Sequence, residues 1–317
     1  MLAPRSARSV GGPSSAPRAD APVLPNPAYA AYRAGSAFAR VLPEAAILPL
    51  SRVGGAAAGR LMAGRSDMVR RHQLRVRPDL TPAQLDVAVR NTFASYAHYW
   101  MESFRLPGTS AAELDAGFTG QGFEHIRAAI DAGTGVVLAM PHLGAWEWAG
   151  FWTTEVQKIP VSTVVEAVEP PELAAWFTKL REDLGMEIIP LGPSAGAAAA
   201  AALTSNRILT LLCDRDVSGG GIEVEFFGER TTLPAGPATI ALRSGAALIA
   251  STVYFDGMHH QGVANPPIDT SRQGKFRADV QRVTQDLATE LEGLIRHAPE
   301  QWHLLQPNWP SDQPVEG

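Results

Sequence analysis

The chain has 317 residues, 45% of them apolar, and a formal net charge of −5. Its single cysteine excludes a disulfide framework and a cysteine-based zinc site, which favours a reducing compartment. Residues 1–90 carry 13 basic against 5 acidic side chains and residues 91–317 carry 14 against 27, so we expect the N-terminal part to face an anionic partner, either nucleic acid or a membrane surface.

The N-terminal segments favour the membrane over nucleic acid. Residues 1–25, rich in Pro, Ser, Ala and Arg, read as a disordered tail, and without a continuous apolar stretch they do not resemble a signal peptide. Residues 26–75 alternate apolar residues with spaced Arg, interrupted by Pro43 and Pro49, and contain no run long enough to span a bilayer. This pattern predicts amphipathic helices lying in the interface of an anionic membrane. Packing of the same helices on the core is the alternative, and both can hold.

From residue 81 onward the pattern predicts helices alternating with strands. Thr81 is a good N-cap residue, with Pro82 at the first helical position, and Pro107 and Gly108 end that helix. The alternation indicates one α/β domain over residues 26–310, with a central, mostly parallel sheet flanked by helices, and residues 311–317 as a C-terminal tail. The predicted strands are residues 135–140 and the segments VSTVVEAV, MEIIPL, RILTLLCD, IEVEFFG and ALIASTVYF.

Polar residues follow three of these strands, where sites in α/β sheets usually lie. The first is His142, with Glu147 five residues later. If His142 lies in the turn and Glu147 in the first turn of the next helix, the carboxylate can fold back towards the imidazole. It would then fix the ring tautomer and stabilise the imidazolium. The pair is typical of a general base with an orienting partner; a capping His and a helix-start Glu without chemistry form the alternative.

The second spot is GPSAG, which matches the G-x-S-x-G pattern between a strand and a helix. Ser194 could act as a nucleophile, with Asp256 and either His297 or His303 completing a Ser-Asp-His order. It is also a plain N-cap before an Ala-rich helix, and we favour this interpretation.

The third spot is Asp214–Asp216 in CDRDVSGGG. Arg215 and its neighbours could recognise a phosphate or a sugar hydroxyl, and a solvated surface cluster is the alternative. Cys213 just before them is expected to be a small buried residue rather than a nucleophile. No metal site is expected, because the pair His259-His260 lacks spaced carboxylates and no H-E-x-x-H occurs.

Five stretches carry a family resemblance: MPHLGAWEWAG, LREDLGMEIIPL, CDRDVSGGGIEVEFFGE, LPAGPATIALRSGA and PEQWHLLQPNW. In order and spacing they resemble the bacterial lysophospholipid/lipid A biosynthesis acyltransferase family. The resemblance covers about residues 26–310 and is closest to the actinobacterial branch, the phosphatidylinositol mannoside acyltransferases. It implies transfer of a long acyl chain from acyl-CoA to a hydroxyl of a membrane glycolipid at the cytoplasmic face of the cell membrane. In that branch the acceptor is the 6-hydroxyl of the mannose attached to inositol.

The resemblance also implies roles for particular residues. His142 matches the catalytic base, and Glu147 stands where the mannoside branch often has Asp and the lipid A enzymes have Glu. A lipid A-type or other glycolipid acceptor is therefore an alternative to the mannoside. Two other functions are also alternatives: a serine hydrolase that uses Ser194, and a non-catalytic lipid-binding protein. Acyl-CoA is the donor substrate, and neither a metal nor another cofactor is implied. The residues implied for substrate binding are Arg181, Arg215, Asp216 and Glu223.

Overall fold

The computed structural model describes residues 27–166, 169–217 and 219–313, so the expected disordered tail at residues 1–25 lies outside the described residues. Helices alternate with strands along most of the chain, which confirms the predicted α/β class. The helices of the described ranges are α1 (Pro27–Val41), α2 (Glu44–Leu61), α3 (Ala63–Val76), α4 (Pro82–Arg105), α5 (Ala111–Ala116), α6 (Phe123–Asp131), α7 (Trp146–Glu155), α8 (Pro171–Asp183), α9 (Ala195–Thr204), α10 (Gly236–Ser244) and α11 (Phe276–His297).

The strands of the same ranges are β1 (Phe118–Gln121), β2 (Val136–Met140), β3 (Val161–Val165), β4 (Glu187–Pro190), β5 (Ile208–Leu212), β6 (Ile222–Phe226), β7 (Glu229–Leu233), β8 (Ala247–Asp256) and β9 (His259–Ala264). Seven of them form one sheet in the order β1-β9-β8-β2-β5-β3-β4, and β6 and β7 form a hairpin. Neighbours pair in parallel except β8 with β9, so the mostly parallel sheet is confirmed. The sequence pattern missed β1, β7 and β9.

The centre of the sheet determines where the site forms. β2 lies between β8 and β5, and its apolar run is buried as expected for a parallel strand covered on both faces. The register pairs Met140, the last residue of β2, with Leu212, the last residue of β5. Residues that follow these two strands therefore emerge side by side at the same edge of the sheet.

The long helix α4 begins as the sequence predicted. The Thr81 side chain accepts a hydrogen bond from the Gln84 backbone N–H, and the Gln84 side chain accepts one from the Thr81 backbone N–H. The helix continues for 24 residues and is followed by a short 3-10 turn at Leu106–Gly108. Its length carries Tyr96, Tyr99 and Trp100 to the edge of the sheet where the site lies.

The segment expected to lie on a membrane folds into α1, α2 and α3, and Pro49 lies inside α2 rather than ending it. No helix in the described ranges has the length and hydropathy needed to cross a bilayer. Large apolar side chains are nevertheless exposed here, and six of the nine in the described residues lie between residues 38 and 62. These six are Phe38, Val41, Leu50, Val53, Leu61 and Met62.

Residues 311–313, assigned above to a C-terminal tail, are instead packed against α3. Asp312 is buried and forms ion pairs with His72 and Arg75. Arg75 also stacks on the Trp309 ring at 3.9 Å. These contacts hold the segment after residue 301 in place, and that segment borders the site.

Candidate active site

His142 and Asp214 form a close pair at the carboxyl edge of the sheet. His142 follows β2 and Asp214 follows β5, so the register of these strands brings them together. The His142 Nδ1 atom lies 2.6 Å from Asp214 Oδ1, and the His142 backbone N–H donates to Oδ2 at 3.0 Å. Trp302 Nε1 also donates to Oδ2, at 2.7 Å. Asp214 is fully buried, whereas the His142 side chain is 34% exposed.

The environment of Asp214 fixes the protonation of this pair. Burial raises the pKa of Asp214, but the charge of His142 and the hydrogen bonds from His142 and Trp302 together outweigh it, so the pKa lies below its usual value. An ionised carboxylate can only accept hydrogen bonds, and we therefore assign the imidazole proton to Nδ1. The Nε2 atom has no hydrogen-bond partner among the described residues. His142 is thus arranged to take a proton at Nε2, with Asp214 behind it.

The loop that carries His142 is held by backbone contacts that require glycine at position 144. Gly144 has φ of +64°, and a Cβ atom there would lie 1.7 Å from the Val253 carbonyl oxygen. Its N–H donates to the Gln301 carbonyl, and the N–H of His303 donates to the His142 carbonyl at 2.7 Å. The loop that carries His142 is therefore fixed both to β8 and to the chain near residue 301.

The predicted contact between Glu147 and His142 is wrong. Glu147 does lie in the first turn of α7, but its buried carboxylate accepts hydrogen bonds from Tyr99 Oη at 2.6 Å and from Arg181 at 3.0 Å. Burial raises the pKa of Glu147, and these two partners offset the effect only in part. The carboxylate thus holds Tyr99 and Arg181 in the wall of the site, while Asp214 occupies the place expected for it beside the imidazole.

A groove of about 370 Å³ opens beside His142. Apolar side chains form most of its lining, and those from β3, β5 and α7 include Val164, Leu211 and Trp146. Arg181 and Arg215 contribute positive charge, and the Nε atom of each is buried without a hydrogen-bond partner in the described structure. An apolar channel with a few charged groups beside a paired histidine and carboxylate suits a long-chain substrate with a polar reacting end.

Comparison with known proteins identifies the family. The family model for bacterial lipid A biosynthesis acyltransferases matches residues 21–311. The chain belongs to this family. It is 38% identical over 285 residues to the phosphatidylinositol mannoside acyltransferase of Mycolicibacterium smegmatis, covering 89% of this chain and 91% of the relative. It is 35% identical over 289 residues to the protein of the same name in Mycobacterium tuberculosis H37Rv, covering 89% and 88%. This acyltransferase thus matches its relatives over nearly their whole length.

The substrate-binding residues predicted for the acyltransferase are only partly brought together. Arg181, Arg215 and Asp216 line the groove with His142, and Arg215 also pairs with Glu166 at 3.0 Å.

Asp216 also stabilises the loop after β5. It accepts hydrogen bonds from the Gly219 and Gly221 backbone and from Thr232. Glu223 is largely exposed on β6, where it pairs with Arg230, and it lines a separate polar cleft that shares Asp216 with the groove.

The serine alternative is not formed in the acyltransferase. Ser194 immediately precedes α9, as expected, but its exposed side chain neither caps the helix nor contacts a histidine in the described structure. Of the two histidines proposed as partners of Ser194, His297 is exposed on α11, whereas His303 is buried and pairs with Ser95.

Sequence reasoning missed the residues that complete the site. Asp214 was expected either in a cluster that recognises a phosphate or sugar hydroxyl or in a solvated surface cluster, and Tyr99 and Trp302 were given no role. The signal for Asp214 was its position two residues after a buried strand, but only the strand order shows that this strand is the neighbour of β2. The conclusion that Cys213 is buried is confirmed, and burial raises the pKa of its thiol far above the usual value.

Proposed function

We propose that this protein transfers a long acyl chain from acyl-CoA to a mannose hydroxyl of a phosphatidylinositol mannoside, with His142 as the general base. The observation that carries the proposal is the buried Asp214 behind His142, whose ring forms part of the wall of a mainly apolar groove. The names of the two mycobacterial relatives support the acceptor class. The match covers about nine-tenths of each chain, which supports the same overall reaction in this protein and its relatives.

The reaction follows from the arrangement of the dyad. His142 Nε2 takes the proton of the acceptor hydroxyl while its oxygen attacks the thioester carbonyl carbon, and a C–O bond forms. The C–S bond of the tetrahedral intermediate then breaks, and the imidazolium returns the proton to the leaving thiolate as CoA. Asp214 stabilises the imidazolium between these two steps. Arg215, which lines the groove beside His142, offsets the negative charge on the carbonyl oxygen.

Substrate placement follows from the lining of the groove. Its apolar walls accommodate the acyl chain of the donor, which is excluded from water there. Arg181, fixed by Glu147 and stacked against Trp146 at 4.9 Å, is assigned to substrate binding rather than to proton transfer. No acyl-enzyme is part of this mechanism, because the acceptor hydroxyl itself is the nucleophile.

Peripheral association with the cytoplasmic face of an anionic membrane is part of the proposal. Phe38, Val53 and Leu61 are 55%, 69% and 86% exposed on α1 and α2, and Arg33 and Arg52 are exposed on the same helices. Exposed apolar side chains interspersed with Arg suit insertion into the headgroup region of a bilayer. Arg40 contributes less, since its guanidinium donates to the Phe104 carbonyl at 3.1 Å.

The test is transfer from palmitoyl-CoA to purified phosphatidylinositol mannosides, followed by mass spectrometry of the lipids. We expect one added palmitoyl chain per acceptor with the wild type. His142→Ala should lower kcat by about 10²–10⁴-fold. His259→Gln, at an exposed histidine of β9, is the matched control and should leave turnover unchanged. Absence of transfer by the wild type, or normal turnover by His142→Ala, would contradict the proposal.

A further inference from the structure

The inner face of α3 buries polar side chains that the proposed reaction does not use. Val69, His72, Gln73 and Val76 are its buried residues, at the i, i+3, i+4, i+7 spacing of a stripe that faces a core. Two of the four are polar, and burying a polar side chain costs free energy unless it finds partners. Both find them in the segment after α11: Gln73 donates to the Pro299 carbonyl at 2.7 Å, and His72 bonds to that segment through both ring nitrogens. Hydrogen bonds as well as apolar contacts therefore hold this segment on α3.

The His72 ring is fixed in both position and orientation. Its Nδ1 atom lies 3.0 Å from the Leu304 carbonyl oxygen, and its Nε2 atom lies 3.2 Å from Asp312 Oδ2. The histidine side chain is 2% exposed, and the aspartate side chain is fully buried. Because each nitrogen has its own partner, a rotation of the ring would break both bonds and leave buried polar groups unpaired.

This fixed ring packs against Trp302. The ring centroids of His72 and Trp302 are 5.4 Å apart, with 32° between the ring planes. Trp309 packs edge-on against both rings, at 5.3 Å from His72 and 6.3 Å from Trp302. The Trp302 indole is buried, and its Nε1 donates to Asp214 Oδ2 at 2.7 Å. His72 and Trp309 thus support the indole whose N–H holds the acid of the dyad.

The position of the indole matters to the dyad. Within the described residues, Trp302 is the one donor to the Asp214 side chain that does not belong to His142. Burial raises the pKa of Asp214, and the bond from Trp302 is one of those that offset this effect. Loss of the bond would therefore weaken the carboxylate as a support for the imidazolium. Neither His72 nor Trp302 lines the groove beside His142, so the effect should appear in turnover rather than in substrate binding.

We propose that His72 is a positioning residue for the dyad, which fixes the Trp302 indole so that its N–H stays on Asp214. The expected effect on turnover rests on the proposed function. The contacts run from α3 through Trp302 to the acid behind His142, and none of them touches a substrate-lining residue of the groove. The N-terminal helical segment that was predicted to lie on a membrane thereby also supports the chemistry.

Two substitutions of His72 test the proposal in palmitoyl transfer. His72→Gln keeps a donor towards Asp312 and His72→Asn keeps one towards the Leu304 carbonyl, so neither leaves both buried acceptors unpaired. Both remove the ring that packs against Trp302. Since a hydrogen bond to a charged group is weakened, we expect each to lower kcat by about three- to tenfold. The KM values for palmitoyl-CoA and for the phosphatidylinositol mannoside should stay within about twofold of the wild type, because uniform substrate binding is untouched.

A double-mutant cycle shows whether His72 acts through Trp302. Trp302→Phe keeps a flat ring but removes the Nε1–H donor, and we expect it to lower kcat by about tenfold. Adding either His72 substitution should then lower kcat no further, because a residue that acts through this N–H has no effect once it is gone. His260→Gln is the matched control: His260 is another buried histidine, paired with Glu102 at 2.9 Å, and its loss should lower thermal stability but not kcat. Additive losses in the cycle, or wild-type kcat in the His72 variants, would overturn the proposal.

Hydrogen exchange of the Trp302 indole N–H, followed by NMR, separates the positioning role from the proposed function. Its signal is identified by its absence from the spectrum of Trp302→Phe. Because local opening controls exchange of a buried N–H, we expect it to exchange about tenfold faster in the His72 variants than in the wild type and in His260→Gln. If the wild type transfers no acyl chain and exchange still accelerates in this way, the positioning role stands and the proposed function falls. If exchange in the His72 variants matches that in the wild type, the positioning role falls, whatever the turnover.

Discussion

Replacing Asp214 by Asn should disable the dyad without disturbing the fold. The two Asp214 oxygens have different partners: Oδ1 meets His142 Nδ1, whereas Oδ2 accepts from the His142 backbone and from Trp302 Nε1. An Asn side chain has one oxygen and one NH₂ group. Placing the NH₂ group at the Oδ2 position would set it against two donors and lose two hydrogen bonds, so we expect it at the Oδ1 position.

The consequence is a change of tautomer. An NH₂ group facing His142 Nδ1 can only donate, so Nδ1 must give up its proton and the neutral ring carries it on Nε2 instead. Nε2 is then unable to accept the hydroxyl proton. Since general-base catalysis contributes about 10²–10⁴-fold and a wrong tautomer in a Ser-His-Asp site costs about 10⁴-fold, we expect kcat to fall about 10³-fold. This corresponds to roughly 4 kcal/mol of transition-state stabilisation at about 1.36 kcal/mol per decade.

The assay is palmitoyl transfer at saturating substrates, with thermal unfolding measured in parallel. Asp256→Asn is the matched control: Asp256 is exposed at the end of β8, its side chain has no hydrogen bond among the described residues, and it was the acid of the serine alternative. The control should keep wild-type kcat. A natively folded Asp214→Asn enzyme that retains more than a tenth of kcat would refute the tautomer argument, and loss of activity in Asp256→Asn would favour a hydrolase.

The remaining predictions concern stability and the membrane. Glu147→Ala should lower the free energy of unfolding by about 3 kcal/mol in denaturant titrations, because it leaves the buried guanidinium of Arg181 unpaired. Glu147→Gln should lower it clearly less, and equal losses in the two variants would contradict this reasoning. Val53→Ser with Leu61→Ser should weaken co-sedimentation with anionic vesicles, and Val87→Ser, exposed on α4, should not; equal binding by all variants would exclude insertion by these side chains. Burial raises the pKa of Asp312, but hydrogen bonds from a buried histidine and backbone amides outweigh it and lower the pKa overall. Its stabilisation is therefore complete above about pH 4 and lost as the pH falls through the lowered value, so Asp312→Asn should flatten the acid limb of a stability-pH curve.

Much of the fold could be predicted because local patterns specify it. Residues close in sequence determine several of its elements. These are the Thr81-Pro82 start of α4, the apolar runs of β2, β3, β5 and β8, and the helices between them. β9 was missed because its sequence, HHQGVA, begins with two histidines and contains a glycine. It forms a strand because β8 and β1 pair with it on both sides. Such support comes from the tertiary structure and leaves little local signal.

The difference between local patterns and tertiary contacts also explains why Glu147, rather than Asp214, was predicted to contact His142. Glu147 was the nearest acid to His142 in sequence, and a short spacing suggested a contact. The choice between Glu147 and Asp214 depends on which strand lies beside β2, and on the groups that each carboxylate meets. Arg181 and Tyr99 reach Glu147 from α8 and α4, and satisfy it away from the imidazole.

Asp214 shows why a buried acid is suited to this role. Its full burial would raise its pKa unless donors compensate, and three donors converge on it, two from His142 and one from Trp302. Trp302 is 160 residues from His142 in the chain, and it reaches the site only because the segment after α11 is held against the catalytic loop. The motif around His142 therefore points to the proposed base, but the acid paired with it is determined by strand order and by a distant tryptophan. These are properties of the folded chain that residue spacing does not encode.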